Sequence, residues 1–399
     1  MRTRKWYLSA FALLMAFVLV ASACGDDDDV SGEGFKFGMI LVGPKDDRGW
    51  SQAHFEGGEY VEQQLGAEMI LFENLNDAAN PGVTVEQVVA DMIDAGAGLV
   101  FATSDDMDEI VQVAPNHPDT PMIWSSGDSA WEDGEAYADL SNLGNVMGRM
   151  EFGKMIAGCA AALTTQTGSI GYLGPLINAE TRRLTNSAFL GARHCYEEYR
   201  GLDPADLEFA VTWIGFWFEI PGVTLSPTQV ANDFFSGGAD VVISGIDTTE
   251  AIVVAGQRAA AGEDVWAVPY DFEGACNEAP ERCLGTPYFN WGPAYVEIAE
   301  SVISDDFEAT WEWLGPNWDD LTDNTTTAIG WVDGEGLPAA AAEDLDDFIN
   351  SLADGDVELF VGPLNYQDGS EFLADGEEAS DFDVWYMEQL LEGMRGASE

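Results

Sequence analysis

From residue 35 onward the chain alternates short apolar runs with amphipathic stretches. Residues 37–42 read as a buried strand, 51–65 as a helix, 69–72 as a strand, 84–95 as a helix and 99–103 as a strand, with Trp124 ending a further one. Strands this uniformly apolar are covered on both faces, and the stretches between them carry apolar residues at helical spacing. A long helical stretch is predicted over 146–163. The rhythm then resumes with strands at 169–173, 209–214, 241–244 and 265–270 and helices at 181–199, 227–235 and 249–261. Such alternation builds parallel βαβ units with helices on both faces. The predicted fold class is α/β, with two Rossmann-like lobes of parallel sheet joined by a hinge.

A direct comparison of the two halves suggests duplication. At an offset of 142, Gln87, Asp91, Gly96, Ala97, Val100, Asp105 and Ile110 meet Gln229, Asp233, Gly238, Ala239, Val242, Asp247 and Ile252. Both copies read as helix, glycine turn, buried strand and then acidic residues just past the strand. Two open α/β lobes facing each other make a cleft at the carboxyl ends of their strands, where ligands of such sheets bind. The chemistry is therefore sought on loops that follow strands. The expected division is 35–142 with 284–322 for the first lobe and 143–283 with 323–399 for the second.

The amino terminus changes the picture. Arg2, Arg4 and Lys5 precede an apolar run from Trp6 to Val20, and Ala21-Ser22-Ala23 are small residues before Cys24. Residues 1–23 read as an export signal, too short and wrongly flanked for a spanning helix. Cys24 resembles the lipidated first residue of a bacterial lipoprotein, and acidic residues 24–34 read as a solvated tether. The protein is expected outside the cytoplasm, held to the cell membrane through that lipid.

Composition narrows the partners. The formal net charge is −57, from 15 Lys+Arg against 72 Asp+Glu, and the lysines beyond the signal are Lys36, Lys45 and Lys154. Nucleic-acid phosphates and anionic membrane surfaces need clustered cations, so neither is an expected partner. So acidic a surface suits a saline habitat. Cys159, Cys195, Cys276 and Cys283 make an even number in an exported chain, which favours disulfides. Of the three connectivities, 276–283 with 159–195 is preferred. A metal site is not expected, because no Cys-x-x-Cys pair exists and the histidines are only His54, His117 and His194.

The run Gly43-Pro-Lys-Asp-Asp-Arg-Gly-Trp-Ser-Gln-Ala-His-Phe-Glu-Gly57 resembles the basic membrane protein family of ABC-transporter substrate-binding lipoproteins, which includes purine-nucleoside receptors. The likeness continues through Gly148-Arg-Met-Glu151, Asn186-Ser-Ala-Phe189, Trp217-Phe218, Pro269-Tyr-Asp271, Asn290-Trp-Gly-Pro293 and Gly362-Pro363. It implies the type I periplasmic binding protein fold, acting as a monomer without cofactor. It also implies a small solute, a nucleoside or related purine, delivered to a permease and its ATPase. By this resemblance Asp47 and Ser51 meet ligand hydroxyls or the base edge, Phe55 or Trp50 faces the base, Asp271 holds the ribose diol, and Asn186 and Asn290 orient the ligand.

The residue types agree. A nucleoside needs aromatic faces for its base and carboxylates or amides for base edge and hydroxyls. Loops after predicted strands add Trp217, Asp247 and Asp108 to the candidates. Asp46 reads as a turn residue, and Asp105 and Asp106 as carboxylates at a helix start. Two other functions compete. A tethered sensor would share the ligand site. A secreted carboxylate-based hydrolase is disfavoured, since there is no Gly-x-Ser-x-Gly elbow, His-Glu-x-x-His helix, Walker loop or EF-hand spacing.

Overall fold

A computed structural model describes residues 30–399. The export signal and Cys24 lie outside the described residues, as does most of the tether. The first lobe begins with β1 (Lys36–Ile40), α1 (Trp50–Leu65), β2 (Glu68–Phe72), α2 (Val85–Asp94), β3 (Leu99–Ala102), α3 (Ile110–Val113), β4 (Met122–Ser125) and β5 (Leu143–Gly148). The second follows with α4 (Met150–Thr164), β6 (Ser169–Gly174), α5 (Ala179–Glu198), β7 (Glu208–Trp213), α6 (Pro227–Ser236), β8 (Val241–Ser244), α7 (Glu250–Ala260) and β9 (Trp266–Val268). The remainder is β10 (Gly285–Phe289), α8 (Gly292–Ile303), β11 (Trp311–Leu314), β12 (Ile329–Asp333), α9 (Ala339–Ala353), β13 (Leu364–Asn365), β14 (Glu371–Leu373), α10 (Asp381–Trp385) and β15 (Met394–Arg395).

Two parallel sheets organise these elements. The first runs β11-β5-β4-β3-β1-β2 and the second β15-β7-β6-β8-β9. Every residue of β3, β4, β5 and β8 is buried, which is why these strands read as unbroken apolar runs. The duplication holds at the level of elements. At the same offset of 142, α2 and α6 start and stop in register, as do β3 and β8. Gly96 and Gly238 both turn the chain with φ near 100°, at 99° and 108°, a conformation a β-carbon would strain.

Two boundaries differ from the sequence reading. Residues 146–163 are not one helix: β5 pairs with β4 on one side and β11 on the other, and the helix begins only at Met150. A fully buried strand running into a fully buried helix gives one apolar stretch with no period to divide it. The chain therefore leaves the first sheet after Gly148, not at Asn142. Likewise β10 pairs with β12, and Ala267 and Asp271 bridge Cys283 and Tyr288, so β10 stands beside the second sheet. The first-lobe part of that stretch is α8, packed on α1, together with β11.

In the second lobe α4 and α5 approach closely. A β-carbon at Gly158 would collide with the Ala188 carbonyl, and one at Gly191 with that of Met155. Cys159–Cys195 joins these helices, and Cys276–Cys283 closes the loop before β10. Between the helices lies a buried ion pair, Arg183 Nε to Glu151 Oε1 at 2.6 Å. The carboxyl-terminal segment straps the lobes together: Trp385 Nε1 donates to Asp128, and Arg149 grips Asp381 through two hydrogen bonds at 2.9 and 2.8 Å. Among the described residues no helix is long and apolar enough to cross a membrane.

Candidate functional site

The carboxyl ends of both sheets face one narrow cavity between the lobes, with about 20 Å3 of free interior space. The first lobe contributes Trp50 from the start of α1 and Ser104, Asp105 and Ser126 from the loops after β3 and β4. The second contributes Tyr172, Glu180, Trp217, Asp247 and Tyr270, with Pro175, Thr181, Leu184 and Gly245 filling between them.

The lobes meet across this cavity. Trp217 Nε1 donates to Asp106 Oδ2 at 3.0 Å, and Asn178 Nδ2 to Asp105 Oδ2 at 3.1 Å. Arg48 pairs with Glu278 at the rim. Gly49 lies so close to the Asp247 peptide that a β-carbon would overlap its carbonyl, so only glycine allows this approach. Trp50 is fixed by Nε1 donating to the Thr103 carbonyl at 2.6 Å and by edge-on contacts with Phe289 and Trp291.

Acids dominate the electrostatics. Burial pushes the Asp105 carboxyl up to about 6 and that of Glu180 up to about 7. Asp271 is fully buried and follows β9 with φ 72°. Neither of its carboxyl oxygens has a hydrogen-bond partner. Burial raises its pKa well above the carboxylate range, against the opposing pull of Lys154. Lys154 is itself fully buried; Nζ donates to the Ser244 carbonyl at 2.7 Å and sits over the Tyr270 ring. Burial and the neighbouring Asp271 and Asp47 hold Asp247 well above its ordinary value. Such a cavity offers aromatic faces and strong acceptors for a ligand rich in O–H or N–H donors.

Of the sequence candidates, Trp50, Trp217 and Asp247 line the cavity, and Asp271 is not among its lining residues but follows the lining Tyr270 in the chain. The others do not line it. Asp47 holds the start of α1, accepting from the backbone N–H groups of Gly49, Ser51 and Gln52. Ser51 Oγ accepts from Gly43 N at 3.0 Å. Phe55 is half-buried beneath Lys45. Asp108 is exposed. Asn186 ties α5 to the carboxyl-terminal segment through Gln389 and Leu391, and Asn290 binds the carbonyls of Asn324 and Thr327. Polar groups of Asp47, Ser51, Asn186 and Asn290 are engaged by backbone partners.

Sequence reasoning missed Tyr172, Glu180 and Tyr270, and set aside Asp105. One signal was present: the duplication aligns Asp105 with Asp247, and both prove to line the cavity. Among the described residues no group of three or more His, Cys, Asp or Glu side chains is placed to hold a metal ion.

Comparison with known proteins agrees with this geometry. A purine-binding protein of Brucella abortus is 28% identical over 88% of this chain and 89% of its own length. A protein of Haloferax volcanii named as an ABC transporter glucose-binding protein is 25% identical, over 92% of this chain and 81% of its own. In fold, solute-binding proteins of ABC transporters from Conexibacter woesei and Aeropyrum pernix superpose with TM-scores of 0.58 and 0.60 at 19% and 16% identity. They cover 82% and 81% of this chain, and 98% and 87% of their own. The architecture is that of the type I periplasmic binding proteins. Residues 35–314 match the Bmp family, described as ABC transporter substrate-binding protein PnrA-like. With its two-lobed fold and inter-lobe cavity, the chain belongs to that family of extracytoplasmic solute-binding proteins.

Proposed function

We propose that the cavity captures a purine nucleoside or related purine and that the closed protein delivers it to an ABC permease and its ATPase. The observation that carries this reading is one cavity in which aromatic side chains of both lobes, Trp50 and Trp217, stand with the carboxyls of Asp105, Glu180 and Asp247, next to Tyr270, whose chain neighbour Asp271 keeps a buried, unpartnered carboxyl. The flat rings suit a purine face and the carboxylate suits a ribose diol. The printed name of the Brucella relative supports the same class. In this reading Cys24 carries the lipid that anchors a monomer to the outer face of the cell membrane.

A sugar is the second reading, favoured by the name of the Haloferax relative and by the same pairing of aromatic faces with carboxylates. A thermal-shift screen over nucleosides, free bases, nucleoside monophosphates and glucose separates the two. A hundredfold excess over Kd adds about 2.7 kcal/mol to the stability of the bound form. Nucleosides are expected to raise the melting temperature and monophosphates not to, because a second anion would be desolvated among carboxylates. A rise with glucose alone overturns the nucleoside assignment in favour of the sugar.

A further inference from the structure

Closure sets the loops at the carboxyl end of one sheet against those of the other. On the first lobe they follow β1 and β3, and on the second they follow β6, β7, β8 and β9. Gly49 rests on the Asp247 peptide, and Arg48 pairs with Glu278. Arg48 is more than half exposed, and an ion pair so placed contributes little. Two further contacts fall on neighbouring carboxyls of the first lobe. Asn178 Nδ2 donates to Asp105 Oδ2 at 3.1 Å, and Trp217 Nε1 donates to Asp106 Oδ2 at 3.0 Å.

The carboxyl-terminal segment also joins the lobes, but beside the chain crossing at Arg149, where a hinge turns. The Asn178 and Trp217 bonds stand at the cavity, which Asp105 and Trp217 line, so hinge opening must break them. Both donors divide their side chains between two tasks. Asn178 Oδ1 accepts from Thr181 N at 2.8 Å to cap α5, which leaves Nδ2 to cross the gap. Trp217 gives the cavity its ring and Asp106 its Nε1–H. Asp105 shares the cavity with Glu180 and Asp247 of the second lobe, and like charges oppose closure. A donor on each first-lobe carboxyl offsets that repulsion.

We propose that Asn178 and the Trp217 Nε1–H form a latch that holds the closed lobes over the solute and sets how slowly it escapes, without selecting which solute is held. This inference rests on the solute-binding reading above. Asn178 is then a positioning residue, acting through the opposite lobe and not on the ligand. Solute leaves only when the lobes part, so each bond broken on opening slows dissociation by its own factor, about two- to tenfold for an ordinary hydrogen bond.

Rapid-mixing displacement of fluorescent adenosine and guanosine analogues by the parent nucleosides measures escape, on variants first shown to melt cooperatively. Asn178→Asp keeps an oxygen for the Thr181 cap but turns a carboxylate toward Asp105. It should speed the escape of both nucleosides by one common factor, about tenfold or more. Adding Asp105→Asn restores an amide–carboxylate pair with the roles exchanged, and should return most of that loss relative to Asp105→Asn alone. Trp217→Phe keeps a ring and removes the donor, and should speed both escapes about two- to tenfold. Unchanged escape in Asn178→Asp, no recovery in the double variant, or a factor that differs between the two nucleosides overturns the latch and leaves the solute reading standing. Failure of the unaltered protein to bind either nucleoside overturns both.

Discussion

Asp271 combines a backbone in the left-handed region, at φ 72°, with a buried carboxyl that no protein group satisfies. Each feature costs free energy, and such costs persist where a ligand completes the site. A hydrogen bond to a charged group is worth ~1.5–3 kcal/mol, and stacking of a base on an aromatic ring ~1–3 kcal/mol. Asp271→Ala and Trp217→Ala should therefore each weaken nucleoside binding roughly ten- to a hundredfold. They should differ in kind: Trp217→Ala weakens a free base and its nucleoside alike, while Asp271→Ala spares the free base. Titration calorimetry on variants shown to melt cooperatively reads the difference, and equal losses for base and nucleoside in Asp271→Ala would displace the ribose from Asp271. At this scale the sequence exposed the aromatic and acidic residues that directly follow strands, Trp217, Asp247 and Asp271. It did not expose Glu180 or Tyr172, because a carboxylate in a first helical turn and a tyrosine inside a strand look the same whether they face a cavity or solvent. Asp47 misled for a related reason: its carboxylate is consumed by three backbone N–H groups, and a cap and a ligand group share one residue type.

The packing of α4 on α5 is the most extensive element-level contact of the second lobe. It places Lys154 under the cavity and Glu180 at its wall. Gly158 and Gly191 permit the close approach, and the Arg183–Glu151 pair is sealed inside it, with Arg183 also stacked on Trp385 at 4.1 Å. Removing one partner of a buried ion pair strands the other charge and typically costs ~3–5 kcal/mol, whereas replacing both by apolar residues is often close to neutral. Denaturant unfolding should accordingly show Arg183→Leu strongly destabilised and the double change Glu151→Leu with Arg183→Leu recovering most of the loss. A double variant no more stable than the single one would mean that packing against Trp385, not charge, is what Arg183 supplies. Here legibility was uneven. The offset of 142 located α2, α6, β3 and β8 in register, since duplication preserves the buried period of both copies. The junction of β5 and α4 was invisible, because both sides of Arg149 are buried and apolar.

For the whole molecule, acid excess and architecture point the same way. Two parallel sheets turn their carboxyl ends toward one another, the lobes touch through Trp217, Asp106, Asn178 and Asp105, and the acids of the surface continue into the cavity. Lys154 is fully buried and sits over the ring of Tyr270, and it is not among the residues lining the cavity. Under the proposed function, a molecule so built is expected to select a neutral, donor-rich solute and to disfavour phosphate. The two-lobed plan was readable from the βαβ alternation, but the crossings were placed too early, because β5 and β10 carry no sequence mark of the sheet each one joins. The most direct test of the account is a crystal structure of the protein with adenosine. The account predicts the adenine ring in the inter-lobe cavity against Trp50 and Trp217, with the ribose hydroxyls on Asp271. Adenosine seated outside that cavity, or with its ribose turned away from Asp271, would contradict it.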